Sequence, residues 1–201
     1  FLEFWKSLKV GDLIIAHHRF ATTGGSGYCR DSNHPLANEQ KTLMLVHNGC
    51  ISNYDTLWYD LKTKHTFEST VRTISMSGFV IKQDITDSEV LVHLLEGGFV
   101  ENTIKTLSQR VNGSLAIAFL KANCNRIYLY GTPINVYKDK SENIYFSSEF
   151  HNTNGQFVDN VELKSGVLYA IGKDLKYIKK IKEDPVLVVT GSKGQSSLTP
   201  Y

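Results

Sequence analysis

Long hydrophobic runs are missing from this 201-residue sequence. The longest unbroken apolar stretch is Leu115 to Leu120, far short of the ~20 residues that a membrane-spanning helix requires. Cysteine is scarce and odd in number: Cys29, Cys50 and Cys124, with no CxxC pair among them. That pattern argues for reduced thiols in an intracellular, cytoplasmic protein and against a disulfide framework or a zinc cluster. An excess of either charge is also lacking. A formal net charge of +2 gives no electrostatic reason to expect a nucleic-acid or membrane partner. No basic leader followed by a long apolar core opens the chain, so a signal peptide is not expected. There is no initiator Met either, and a start in mid-amphipathic sequence suggests a piece of something longer. Neither HExxH nor a closely spaced histidine pair of zinc type occurs among His17, His18, His34, His47 and His93, so no metal site is expected.

What is present reads as one globular domain. Apolar residues make up 41% and charged residues 21%, which excludes a disordered or fibrous chain. A compact body of this length hides roughly 70% of its extended-chain surface, enough to fold without covalent staples. Residues 1–190 are taken as the domain and 191–201, rich in glycine and serine, as a frayed tail. Phe4 to Leu8 reads as the end of a helix, and Leu13–Ala16 as a short buried strand. Thr22 to Gln40 is a long polar loop, of the length at which loops are usually functional. Thr42–His47 reads as a strand that stops at Asn48-Gly49. Helices are expected over Asn53–Lys62, Asp87–Glu96 and Glu101–Val111, from apolar residues at helical spacing and from the stops at Gly97-Gly98 and Asn112-Gly113. Strands then follow at Ser114–Leu120, Arg126–Tyr130, Ile134–Tyr137, Ile144–Ser147, Val167–Ile171 and Val186–Val189. Strands, helices, then more strands make an α+β layered domain.

Polar groups suited to chemistry concentrate in the first half, at strand ends and on loops. Arg19 ends a strand, where its guanidinium suits either a surface ion pair or a two-pronged grip on a carboxylate. Asn48-Gly49 suits either a turn or a pair of N–H donors aimed at one oxyanion. Asp87 opens a helix, where its carboxylate either caps the free N–H groups of Ser88, Glu89 and Val90 or binds a ligand ammonium. His93 lies off the Leu94-Leu95 stripe and reads as solvated. Cys50 reads as pointing into the core, with no local base to make it a nucleophile.

Taken in order, HHRFATTG, SNHPL, LVHNGCISNYDTL and TDSEVLVHLL resemble the class II, N-terminal-nucleophile glutamine amidotransferase domain. NGSLAIAFL, RIYLYGTPINVY and IYFSSE resemble its later strands. The resemblance covers about Leu13 to Ile171 and implies a four-layer αββα sandwich of two antiparallel sheets. It further implies hydrolysis of L-glutamine to glutamate and ammonia, an ammonia-accepting synthase domain or subunit as partner, and no cofactor. On this likeness Arg19 grips the substrate carboxylate, Thr22 and Thr23 line the pocket, and Asp87 holds the ammonium. Asn48 and Gly49 become the oxyanion donors, with His34 and His47 in support. Thr23 and Phe20 stand where relatives with an isomerase partner usually carry histidine and tryptophan, which leaves the acceptor open. The family's nucleophile is a cysteine at the mature N-terminus. Phe1 is not that residue, so the cysteine and its first strands are expected upstream. The alternative is a non-catalytic glutamine-binding or scaffold protein of the same fold.

Overall fold

The computed structural model describes residues 3, 7–9, 11–18, 32–69, 71–74, 80–122, 124–149, 155–172 and 175–181. Their strands all pair antiparallel. A six-stranded sheet runs in the order β1-β2-β5-β6-β10-β11, from β1 (Leu36–Ala37), β2 (Leu43–Ile51), β5 (Gly113–Lys121), β6 (Ile127–Gly131), β10 (Val167–Ile171) and β11 (Leu175–Lys180). A three-stranded sheet has the order β8-β7-β9, with β7 (Asn135–Asp139), β8 (Ile144–Ser147) and β9 (Phe157–Glu162). A separate hairpin joins β3 (Val71–Ile74) to β4 (Val80–Asp84). The helices are α1 (Tyr54–Leu61), α2 (Asp87–Leu94) and α3 (Val100–Arg110). No helix among the described residues is long and apolar enough to cross a membrane.

The central sheet is buried on both faces, and its sequence shows why. Side chains alternate across a strand, and along β5 Ile117 and Phe119 enter one core while Ala116 and Ala118 enter another. The same division separates Tyr130 from Ile127 and Leu129 on β6. The first core packs the sheet against the helices through Leu57, Val90, Leu91, Ile104 and Leu107. The second packs it against the three-stranded sheet through Val136 and Ile144. Helices, six-stranded sheet and three-stranded sheet thus stack as layers of the expected α+β sandwich.

Several expectations need correction. Leu13–Ala16 is not a strand: the segment is irregular, and Leu13 and Ile15 are half-buried against the second core. A strand needs a hydrogen-bonded neighbour, and no described strand pairs with it. The strand β2 does not stop at Asn48-Gly49 but continues to Ile51 in unbroken register with β5. Part of the long polar loop forms β1, where Leu36 faces Leu45 across the ladder. The strands β3, β4, β9 and β11 were not expected from the sequence. Val186–Val189 and the 191–201 tail lie outside the described residues.

Candidate functional site

The site grows from the edge of β2 that faces away from β5. β5 flanks β2 along its whole length, while β1 covers only Met44 and Leu45. From Val46 onward, no described strand pairs with the other edge of β2. Backbone polar groups alternate between the two edges. Even-numbered residues point toward β5, since the Cys50 N–H meets Ser114 Oγ at 3.0 Å and the Ser52 N–H meets the Asn112 carbonyl at 2.8 Å. Odd-numbered residues point the other way, and there the Ile51 N–H donates to Asp87 Oδ2 at 2.8 Å. The same alternation sends the Gly49 N–H to that edge.

Gly49 is required by crowding as well as by dihedral angle. Its φ is +150°, and a Cβ there would collide with the Ser114 carbonyl oxygen and come 2.7 Å from His47 Nε2. Only a residue without a side chain lets β2 lie this close to β5. The Asn48 side chain, on the opposite face from His47, donates from Nδ2 to Ser148 Oγ at 2.8 Å. One amide N–H is thereby fixed, which orients the group and leaves the second N–H for another acceptor.

His47 is buried behind this edge. Its Nδ1 lies 2.9 Å from Ser88 Oγ and its Nε2 lies 3.3 Å from the Ser114 carbonyl oxygen. A carbonyl only accepts, so Nε2 carries the proton and Nδ1 accepts from the Ser88 hydroxyl. Burial holds the imidazole below the usual histidine range, against the opposing pull of the Asp87 carboxylate and the Ser114 carbonyl. With the Ser88 proton directed at His47, Asp87 Oδ1, 3.4 Å from Ser88 Oγ, remains open to another donor.

Asp87 is not the N-cap of α2. Thr86 holds that position, with its hydroxyl donating to Ser69 Oγ at 2.9 Å and making no capping bond, while the Asp87 carboxylate is turned back to the β2 backbone. A second anchor fixes this helix start. The buried Glu89 carboxylate accepts from the N–H groups of Glu68 and Ser69, at 2.6 and 3.0 Å, and from the Ser69 hydroxyl. Ser69 Oγ in turn accepts from the Thr86 N–H at 2.9 Å.

These groups surround one cavity of about 550 Å³, lined by His17, His18, His34, His47, Asn48, Gly49 and Asp87 together with Ser88 and Ser148. Cavities of ~300–1,000 Å³ are the range of small-molecule sites. Of the residues singled out in the sequence, His34, His47, Asn48, Gly49 and Asp87 come together here, and Arg19, Thr22 and Thr23 lie outside the described residues. Cys50 does not enter the core: it is exposed, on the face of β2 opposite Ile51. His93 is not solvated. It is buried and bonded through Nδ1 to Glu96 Oε1 at 2.7 Å. Sequence reasoning missed Ser148, which follows a short strand 100 residues from Asn48 with no local pattern to mark it. It also missed Glu89, whose charge gives no hint of burial.

A family model for the glutamine amidotransferase domain matches residues 17–154. The chain is similar to the isomerizing glutamine–fructose-6-phosphate aminotransferase of Bacteroides thetaiotaomicron, 36% identical over 116 residues, covering 55% of this chain and 16% of that protein. The same enzyme of Clostridium acetobutylicum is 34% identical over 117 residues, 56% of this chain and 16% of that protein. The chain therefore spans about a sixth of the length of these relatives. Among solved structures, the glutamine phosphoribosylpyrophosphate amidotransferase of B. subtilis shares the fold with a TM-score of 0.56 and 20% identity, over 84% of this chain and 34% of that one.

Proposed function

Because the chain belongs to the glutamine amidotransferase domain family, we propose that the cavity at this edge of β2 binds L-glutamine and hydrolyses its side-chain amide, yielding glutamate and ammonia. In this reading Asp87 Oδ1 receives the substrate ammonium, while Arg19, Thr22 and Thr23 hold the carboxylate end. The free Asn48 N–H and the Gly49 N–H point at the amide oxygen. The attacking thiol belongs to a cysteine upstream of Phe1, at the mature N-terminus. Its sulfur bonds to the amide carbon, and the negative charge that develops on oxygen is met by the two donors. Ammonia leaves with the thiol's proton, and water then splits the thioester to glutamate and free thiol. His34 and His47 are supporting groups. A neutral His47 keeps Ser88 turned from Asp87, so the carboxylate meets the substrate undivided.

The observation that carries this reading is the convergence of Asn48-Gly49 and Asp87, far apart in sequence, on one cavity of about 550 Å³, roomy enough to admit an amino acid. Ammonia is handed to an acceptor bound by a synthase domain or subunit. The test is glutamate release from L-glutamine by the full gene product, beside its Asn48→Ala and Asp87→Ala variants. The wild type turns over and both variants lose most activity. A wild type that makes no glutamate contradicts the proposal.

A further inference from the structure

Away from the cavity, at the other end of α2, four side chains from three segments meet. Glu39 comes from the turn after β1, His65 from beyond the end of α1, and His93 and Glu96 from the C-terminal end of α2. One nitrogen or oxygen donor from each lies within 4.8 Å of every other. His93 Nδ1 is 2.7 Å from Glu96 Oε1, and His65 Nδ1 is 3.6 Å from that same oxygen. Glu39 completes the group, with Oε1 3.9 Å from His65 Nδ1 and Oε2 4.0 Å from His93 Nδ1. A tetrahedral ion with ligands at ~2.0–2.1 Å sets its donors about 3.3 Å apart. The observed separations bracket that value, so small side-chain rotations bring all four onto one ion.

The surroundings favour a cation over a mere hydrogen-bonded cluster. The His93 side chain is 1% exposed, with its ring between His65 at 4.6 Å and Phe67 at 4.5 Å, centroid to centroid. Glu39 Oε1 accepts the Thr66 N–H at 2.6 Å. Its Oε2, aimed at His93, is buried with no hydrogen-bond partner, a costly state for a carboxylate oxygen. The Lys121 ammonium is hydrogen-bonded to the carbonyls of Leu95, Gly97 and Gly98 at 3.4, 2.9 and 3.4 Å, not to either carboxylate of the cluster. Two carboxylates and two imidazoles match the donor preference of a first-row divalent ion of the zinc class, and the carboxylates balance its charge. We propose that Glu39, His65, His93 and Glu96 bind one such ion, which pins the C-terminal end of α2 to the β1–β2 turn and to the segment after α1. The four positions are filled by protein atoms, so the ion is structural. This inference stands apart from the reaction proposed above.

The test titrates chelator-stripped full-length protein with zinc alone and with cobalt(II) alone, following heat, visible absorption and melting. One ion binds per chain at micromolar affinity or better, cobalt gives the strong visible bands of a four-coordinate site, and zinc at a hundred times Kd raises Tm by about 5–10 °C. His65→Gln and Glu96→Gln alter partly exposed residues that the fold tolerates, and each weakens binding at least tenfold. The proposal is overturned if the wild type takes up no stoichiometric ion. It is equally overturned if both variants hold the ion as tightly as wild type, because the metal then sits on other residues.

Discussion

The two ends of α2, about 10 Å apart along the helix axis, carry opposite kinds of polar cluster. At the N-terminal end Asp87 and Ser88 face a cavity, and His47 is kept neutral by burial. At the C-terminal end Glu39, His65, His93 and Glu96 close on one another. One end keeps a carboxylate oxygen available to a visitor. The other supplies every donor itself. Similar residue types therefore serve ligand capture or internal stapling, depending on whether the backbone leaves room between them.

The difference can be probed by unequal losses. The largest is expected for Asn48→Ala, which removes the proposed oxyanion donor and lowers kcat by ~10²–10³ with KM little changed. Steady-state glutamate release reads this directly. Asp87→Asn keeps an acceptor oxygen for the Ile51 N–H but removes the charge, so KM rises by roughly 10- to 100-fold while Tm moves by only a few degrees. A collapse in Tm with unchanged KM would reassign Asp87 to the fold. Ser148→Ala frees the Asn48 amide to rotate, and kcat falls about 2- to 12-fold, the worth of one hydrogen bond.

His47 gives a pH test. Its folded-state pKa is depressed, so the folded chain binds fewer protons than the unfolded one in that window. The stability it contributes is therefore present above ~6.5 and is lost as pH falls through the depressed value. Denaturant midpoints measured from pH 8 to 5 decline in wild type, and His47→Gln flattens the acid side of that curve. The smallest expected effect is on turnover by Glu96→Gln: kcat/KM stays within about twofold, because hydrogen bonds at the closed end of α2 do not reach the substrate. A large loss there erases the distinction between the ends.

Legibility followed the same line. Helices over 54–61, 87–94 and 100–110 were readable because apolar spacing and glycine stops are local signals. Most central-sheet strands were readable from β-branched and aromatic runs. Asn48-Gly49 misled as a strand stop, since the requirement for Gly49 comes from the Ser114 carbonyl across the ladder and not from a turn. The open end of α2 was visible through ordered motifs that resemble a known family. The closed end was not. His65 sits in no motif, and His93 reads as solvated, because Glu39 and His65 reach it only through tertiary packing. The Glu96 contact is local, three residues on, but a lone His-x-x-Glu spacing does not signal burial. Ser148 was hidden because it too meets Asn48 only through tertiary packing.

The central claim is that Asp87 reads the ammonium of a glutamine held in the cavity. Calorimetry on the full gene product, comparing L-glutamine with its analogue lacking the α-amino group, tests it most directly. Wild type should prefer glutamine by at least tenfold, and Asp87→Asn should bind the two alike. Equal binding by wild type, or a preference that survives in Asp87→Asn, contradicts the account.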